Sequence, residues 1–309
     1  MLIVDGSPAT VFEHHHRAWQ AIGRHVGVDP QYRYLNGKVN GVHTGIALAS
    51  CERVILADDD IRYTREDVGA MCELLERYEM VRPQNYLSPL PWWGRMEAAR
   101  MLINRGVLPT GDYPGTCGLR CSAMLRVGHY DGDVLFDNEE IVRHFILKGA
   151  SVCHANDFFI LKHPPTLKKW REQRPRQAYE DFVMRAKTLA FMAVLPAGVA
   201  IALTWGAAAL VAYVLALSMT GLALAERGRR GRARRFFPAH VTLHAPLWIL
   251  ERAVSVYWAI YWRLCYGGYP FGDKLLSKGT GTAWVAGGRL GALGLTCGAS
   301  SSSKQHEER

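Results

Sequence analysis

The chain has no basic, apolar, small-residue leader: Met1 enters a short apolar run that stops at once in "DGSP". Its first domain is therefore expected to stay on the side of a membrane where it is made. Paired cysteines are lacking too. The seven cysteines are scattered, and "CGLRC" (Cys117, Cys121) has neither zinc-knuckle nor thioredoxin-type spacing. That excludes a disulfide framework or zinc module and predicts reduced thiols facing a cytosol, mostly as packing residues. No repeat with a period of roughly 20 to 50 residues is visible, which sets aside solenoids and propellers. Charge is missing altogether from Thr188 to Ala225, about twice the ~20 residues one helix needs to cross a bilayer.

That uncharged stretch organises the rest. Two short spans with a turn near "TWG" (Thr204 to Gly206) fit its length. The basic run "ERGRRGRARR", Glu226 to Arg235, follows directly and holds much of the formal charge of +9. By the positive-inside rule it lies in the cytoplasm with the first domain, which requires an even number of crossings. Because the positive charge is clustered at the membrane and not spread among aromatics over the first domain, nucleic acid is not expected as a partner. A further apolar stretch, "HVTLHAPLWILERAVSVYWAIYWRLCYGGY", carries Glu251 and Arg252 mid-segment and four Trp and Tyr residues between Tyr257 and Trp262. Such a segment lies in the interface more readily than it spans. From Gly279 the composition turns to Gly and Ser, and a poorly ordered tail is expected.

The first 187 residues alternate in period. "MLIV" predicts a buried strand and "SPATVFEHHHRAWQAIG" a helix with Ser7 as cap and Pro8 in its first turn. "QYRYLNG" predicts a strand, "KVNGVHTGIALAS" a helix, "RVILA" a strand, and "REDVGAMCELLERY" a helix behind a Thr64 cap with Asp67 three residues on. "EMVRPQNYL" and "SVCHANDFFIL" predict strands, and "WWGRMEAARMLINRG" and "NEEIVRHFILKGA" predict helices. Alternation of this kind predicts an α/β domain, 1–187, with a mostly parallel sheet sandwiched by helices. A transmembrane helical hairpin over 188–226, a basic loop with an interfacial helix over 227–278 and the tail over 279–309 complete the division.

The triplet Asp58, Asp59, Asp60 falls after the strand "RVILA" and before the Thr64 cap, where ligands of open sheets bind. Two carboxylates one residue apart on extended chain can share a divalent cation bridging a diphosphate. Equally, an acidic turn favours the dipole of the helix that follows. The run "HHH", His14 to His16, cannot converge on one ion from a helix and reads as a solvated face. His154 and His163 are isolated and read as structural. Trp92 and Trp93 suit an acceptor groove or core packing alike.

"NGKVNGVHTGIALASCERVILADDDIRY" resembles the nucleotide-sugar half of family 2 glycosyltransferases with the GT-A (Rossmann-like) fold, and "VDGSP" resembles that family's second-strand aspartate turn. "GTCGLRCSAMLRVGHYDGDVLFDNEE" resembles its acceptor-side segment, and "REQRPRQAYEDF" its Gln-x-x-Arg-Trp motif. The resemblance covers Met1 to about Asp181. It implies that Asp58 and Asp60 hold a metal, Mg2+ or Mn2+, and that Asp5, Lys38 and Asp58 contact the donor. It further implies that Gln173 and Arg176 face its diphosphate. The expected enzyme is membrane-associated and inverting, with a nucleotide-diphosphate sugar donor, a lipid or glycan hydroxyl acceptor and membrane lipids as partners. Its expected location is the cell membrane, multi-pass, with the catalytic domain cytoplasmic. The chain departs from the family in three places. The resemblance starts one strand late, Gln177 replaces the motif's Trp, and "LFDNEEIV" puts Asp137 and Asn138 where the family has its base signature. Asp137 is the expected catalytic base, with Glu139 and Glu140 as substitutes; an N-cap role, with Glu140 closing a capping box, is the structural alternative. A degenerate, non-catalytic transferase-like protein is the other reading of the same departures.

Overall fold

In a computed structural model of the chain, residues 1–281 and 295–296 are described. The first half follows the period switches closely. Strand β1 (Leu2–Asp5) leads to helix α1 (Ala9–Trp19), β2 (Arg24–Gly27), α2 (Gly37–Ala47), β3 (Arg53–Ala57), a two-residue β4 (Ile61–Arg62) and α3 (Arg65–Leu74). The Thr64 capping box is made in full, with Asp67 answering the cap. Ser7 does not cap α1; Pro8 holds that position, and the Ser7 N–H turns back to Asp5 Oδ1 at 2.9 Å. "QYRYLNG" forms no strand. The Tyr34 N–H is taken by the Asn40 side chain and the Asn36 N–H by Gly132 O, and pairing falls instead to Arg24–Gly27.

After these come β5 (Met80–Leu87), α4 (Trp92–Val107), β6 (Thr116–Arg120), α5 (Cys121–Val127), α6 (Asp137–Leu147), β7 (Val152–Lys162) and α7 (Leu167–Glu180). The main sheet runs β7-β5-β6-β3, extended by a short β10 (Leu295–Thr296) beside β7, with β4 also on β7. It is mixed, which corrects the expectation of a mostly parallel sheet. β5 and β7 are parallel, but β6 runs antiparallel to both β3 and β5. β1 and β2 pair only with each other, so among the described residues one edge of β1 and one edge of β3 carry no partner strand.

Helices cover both faces. Met80 packs with Leu119, Val127 and Phe145, whereas its neighbour Val81 packs with Met71, Leu75 and Cys153, as the two-residue period of a strand requires. Among the described residues five cysteines are free, but Cys153 is disulfide-bonded, so the expectation of reduced thiols fails there.

Helix α8 (Arg185–Gly228) is the one described helix long and apolar enough to cross a membrane. It breaks at Gly206, whose φ of 80° suits glycine. The Tyr213 hydroxyl donates to Val194 O at 2.9 Å, although 19 residues of straight helix would separate them by roughly 28 Å. The two arms therefore fold back on each other. α9 (Ala245–Tyr266) packs on α4, α7 and α8. It buries Trp248, Arg252 and Ala259 and exposes Leu247, Val254, Trp258 and Leu264, so Arg252 points inward while much of its apolar surface faces outward. A hairpin of β8 (Tyr269–Phe271) and β9 (Lys274–Leu276) follows. The start of the expected tail is docked: Phe136 N–H donates to Gly279 O at 2.9 Å and Gly281 N–H to Glu140 Oε2 at 2.8 Å. Leu295–Thr296 pair with β7, and the rest of that expectation lies outside the described residues.

Candidate functional site

The site grows from three chain turns that meet at the carboxyl end of β3. Asn36 caps α2 by accepting the Lys38 N–H at 3.0 Å and ties the cap to Val134 O, which aims Lys38 across the gap toward α6. β3 delivers Asp58, whose N–H is held by Gly115 O at 3.0 Å. Asp137 opens α6. The Lys38 ammonium lies between them, 2.6 Å from Asp58 Oδ1, 2.9 Å from Asp137 Oδ2 and 2.8 Å from Asn138 Oδ1. Against the pull of burial, Asp137 and Asp58 hold this ammonium well above the usual lysine range. Asp58 is held below its ordinary value because Lys38 and Lys162 outweigh its burial.

Asp60 differs. Burial, with Asp58 and Asp59 adding, raises its carboxyl against the opposing Lys162 at 3.4 Å. Its Oδ1 is buried with no hydrogen-bond partner. An orphaned carboxylate oxygen two residues from a second carboxylate is a hard donor pair suited to Mg2+ or Mn2+. Among the described residues no group of three or more His, Cys, Asp or Glu forms a ready metal cage. A cation held by Asp58 and Asp60 would thus need further oxygen ligands from outside the protein's own carboxylates. Asp59 is exposed and also lines the cavity.

Two cavities join here. One, of about 440 Å3, is lined by Asp60, Gln173, Arg176, Glu180, Lys187 and Arg252 among others. The second, of about 1150 Å3, lies between β1, α2 and β3 and is lined by Asp5, Gly6, Val54 and Arg62 among others. Lys38, Asp58, Asp59, Asp137 and Asn138 line both, so they form the junction.

Six of the seven residues expected from sequence therefore meet around the first cavity. Asp5 does not; it faces the second. Its Oδ1 accepts Ser7 N–H, and its Oδ2 lies 2.8 Å from His15 Nδ1 and 3.2 Å from His25 Nε2. Against its burial these hydrogen bonds hold the carboxyl well below the usual range. His15 is thus engaged, and His16 meets His25 at 3.0 Å, which corrects the reading of that helix face as merely solvated. Arg176 pairs with Glu180 at 3.1 Å. Asp137 is not an N-cap; Phe136 holds that position and no side chain caps α6. Neither substitute base reaches the junction. Glu139 pairs with Arg82 and Arg143, and Glu140 accepts Gly281 N–H.

α7 is held in place by a buried network. Arg100 grips Asp112 through two bonds of 2.7 and 3.1 Å and meets Glu97 at 2.9 Å, while Arg174 meets Glu97 at 2.6 Å. Sequence reasoning missed Glu180, Asp181 and Lys187. Their signal was the pair "ED" closing a helix just ahead of the uncharged stretch. Burial, with Asp181 and Asp137 adding and Arg176 opposing, pushes the Glu180 carboxyl up to about 6. Trp92 is exposed, Trp93 donates to Pro165 O at 3.1 Å, and neither lines the cavity.

No protein-family model matches the sequence, and no curated protein matches it. Among solved structures it is similar to the mannosyltransferase PcManGT from Pyrobaculum calidifontis in complex with GDP-Man and Mn2+. The identity is 17%, with 83% of this chain and 77% of that chain covered at a TM-score of 0.46. A functional reading therefore has to rest on the site itself.

Proposed function

We propose that this chain is a membrane-attached, inverting glycosyltransferase with a GT-A-like, family 2 type of domain. In this reading it moves a sugar from a nucleotide-diphosphate sugar to a lipid or glycan hydroxyl. One observation carries it: Lys38, Asp58, Asp60, Asp137, Gln173 and Arg176, drawn from sequence stretches far apart, line one cavity. The nucleoside would lie in the second cavity beside Asp5 and the diphosphate at the junction.

A divalent cation between Asp58 and Asp60 would neutralise charge on the departing diphosphate. Lys38 and Arg176 supply fixed positive charge to the same oxygens. Asp137 takes the acceptor proton as the sugar carbon is attacked from the face opposite the diphosphate. Lys38, 2.9 Å from its Oδ2, orients that carboxylate. The arms of α8, each close to the length that spans a bilayer, would cross as a pair. The outward apolar face of α9 would lie in the same interface, with the domain, the basic loop and the junction on the cytoplasmic side of the cell membrane.

A non-catalytic reading finds support in the Lys38 ammonium, which already satisfies Asp58 and Asp137, and in Asn138. Membranes bearing the chain, assayed with a panel of nucleotide sugars, separate the two. Asp60→Ala is expected to lower transfer and Mn2+-dependent nucleotide binding by about a hundredfold or more. Unchanged transfer in Asp60→Ala would refute the site, and no turnover of any donor by the wild type would favour the non-catalytic reading.

A further inference from the structure

The first cavity has a far wall, away from the aspartates, built by the end of α7, the first turn of α8 and the middle of α9. Two cations share a single carboxylate there. Lys187 Nζ lies 2.9 Å from Asp181 Oδ1, and Arg252 Nη1 lies 3.3 Å from Asp181 Oδ2. Arg252 is only 2% exposed at its side chain and lines the cavity, yet its Nε and Nη1 have no hydrogen-bond partner. Its Nη2 has only a long contact of 3.4 Å to Gln177 Oε1. A buried guanidinium with N–H groups left over is costly unless a ligand meets them.

Position decides what kind of anion fits. Lys187 is the last charged residue before the uncharged run of α8, and Leu189 just beyond it is 64% exposed. Arg252 points inward from a helix whose other face is apolar and aromatic. A negatively charged group in this wall would therefore sit at the polar end of an apolar surface, which suits an amphiphile better than a free ion.

We infer that the wall formed by Arg252 and Lys187 is the subsite for the acceptor's headgroup, and that the acceptor is a lipid bearing a phosphate ester. The inference rests on the transferase reading for the word acceptor, but its site does not. Arg252 and Lys187 both lie beyond the stretch that carries the family resemblance.

The test uses the full chain in detergent, with dodecyl phosphate as probe and dodecanol and inorganic phosphate as controls, read by calorimetry without any nucleotide sugar. Dodecyl phosphate is expected to bind about tenfold or more tighter than either control. Arg252→Gln and Lys187→Gln should each weaken it several-fold while leaving Mn2+-dependent nucleotide binding as in the wild type. Asp60→Asn should leave dodecyl phosphate binding unchanged. Equal binding of dodecanol, or tight binding of inorganic phosphate alone, would overturn the lipid phosphate. Loss of the probe in Asp60→Asn would place it at the junction and overturn the wall. Because Arg252→Gln is a buried change, Lys187→Gln, at a side chain 19% exposed, keeps the test decisive: full affinity in that variant also counts against the subsite. Failure here leaves the donor assays above unaffected.

Discussion

Replacing Glu180 by Gln isolates the cost of burying one carboxyl beside the cavity. The Glu180 carboxyl is pushed up to about 6 from an ordinary 4.5 by burial, with Asp181 and Asp137 adding. The folded chain then binds this proton more tightly than the unfolded chain. Stability from the group is complete below about 4.5 and is lost as pH rises through about 6. The gap corresponds to about 2 kcal/mol once both values are passed, with the Arg176 pairing already counted in it. Glu180→Gln keeps the shape and cannot ionise, so at neutral pH it should be more stable by about that amount, a rise in melting temperature of roughly 3 °C for a chain of this length. Thermal melts of the detergent-solubilised full chain, followed by tryptophan fluorescence from below 4.5 to well above 6, give the comparison. Other titrating groups are shared, so the difference between variant and wild type reports Glu180. A variant less stable at neutral pH, or a difference that stays flat across the window, would show that burial is not what moves this carboxyl.

Three further outcomes can be checked. Burial, with His129 and His144 adding, lowers His43 to about 4 from 6.5, so the folded state binds fewer protons and stability present above 6.5 is lost as pH falls through about 4. His43→Phe should flatten the acid limb of the melting curve, and an unaltered acid limb would rule the histidine out as its source. A Cβ on Gly115 would meet Asp58 Oδ2 and lie 3.2 Å from Lys162 Nζ. Gly115→Ala should therefore weaken Mn2+-dependent nucleotide binding about tenfold with a stability change within about 1 kcal/mol, measured by titration beside a melt. Asp137→Asn should cut the transfer rate by about 10²- to 10⁴-fold while nucleotide affinity holds, and equal losses in both would make Asp137 a binding residue only.

The elements that sequence made legible were those whose side chains announce their own period. "RVILA", "EMVRPQNYL" and the Thr64 cap were read to within a residue or so because local burial and capping decide them. "RHVG" was missed as β2, since a histidine and a glycine in four residues give no strand period. "QYRYLNG" misled because its alternating tyrosines look like a strand while its backbone is claimed by Asn40 and Gly132. The mixed sheet was not legible: "TCGLR" enters antiparallel between β3 and β5, and that pairing is settled by long-range packing of Leu119 and Cys117. At the site, the residues carried by motifs came together except Asp5, whereas Glu180, Asp181 and Lys187 depend on how α7 meets α8. Arg252 did leave a trace, as a charge set in an apolar helix, but which way it pointed was a tertiary matter.

The unpaired edges of β1 and β3 have a consequence for handling the protein. Each leaves a row of N–H and C=O groups that water must satisfy, flanked by half-buried Val4, Val54 and Leu56. Such rows are templates for any extended chain that comes near. Concentrating the protein should favour edge-to-edge adhesion between copies, and a lysine or proline set into the outer row of β3 would be the economical guard against it.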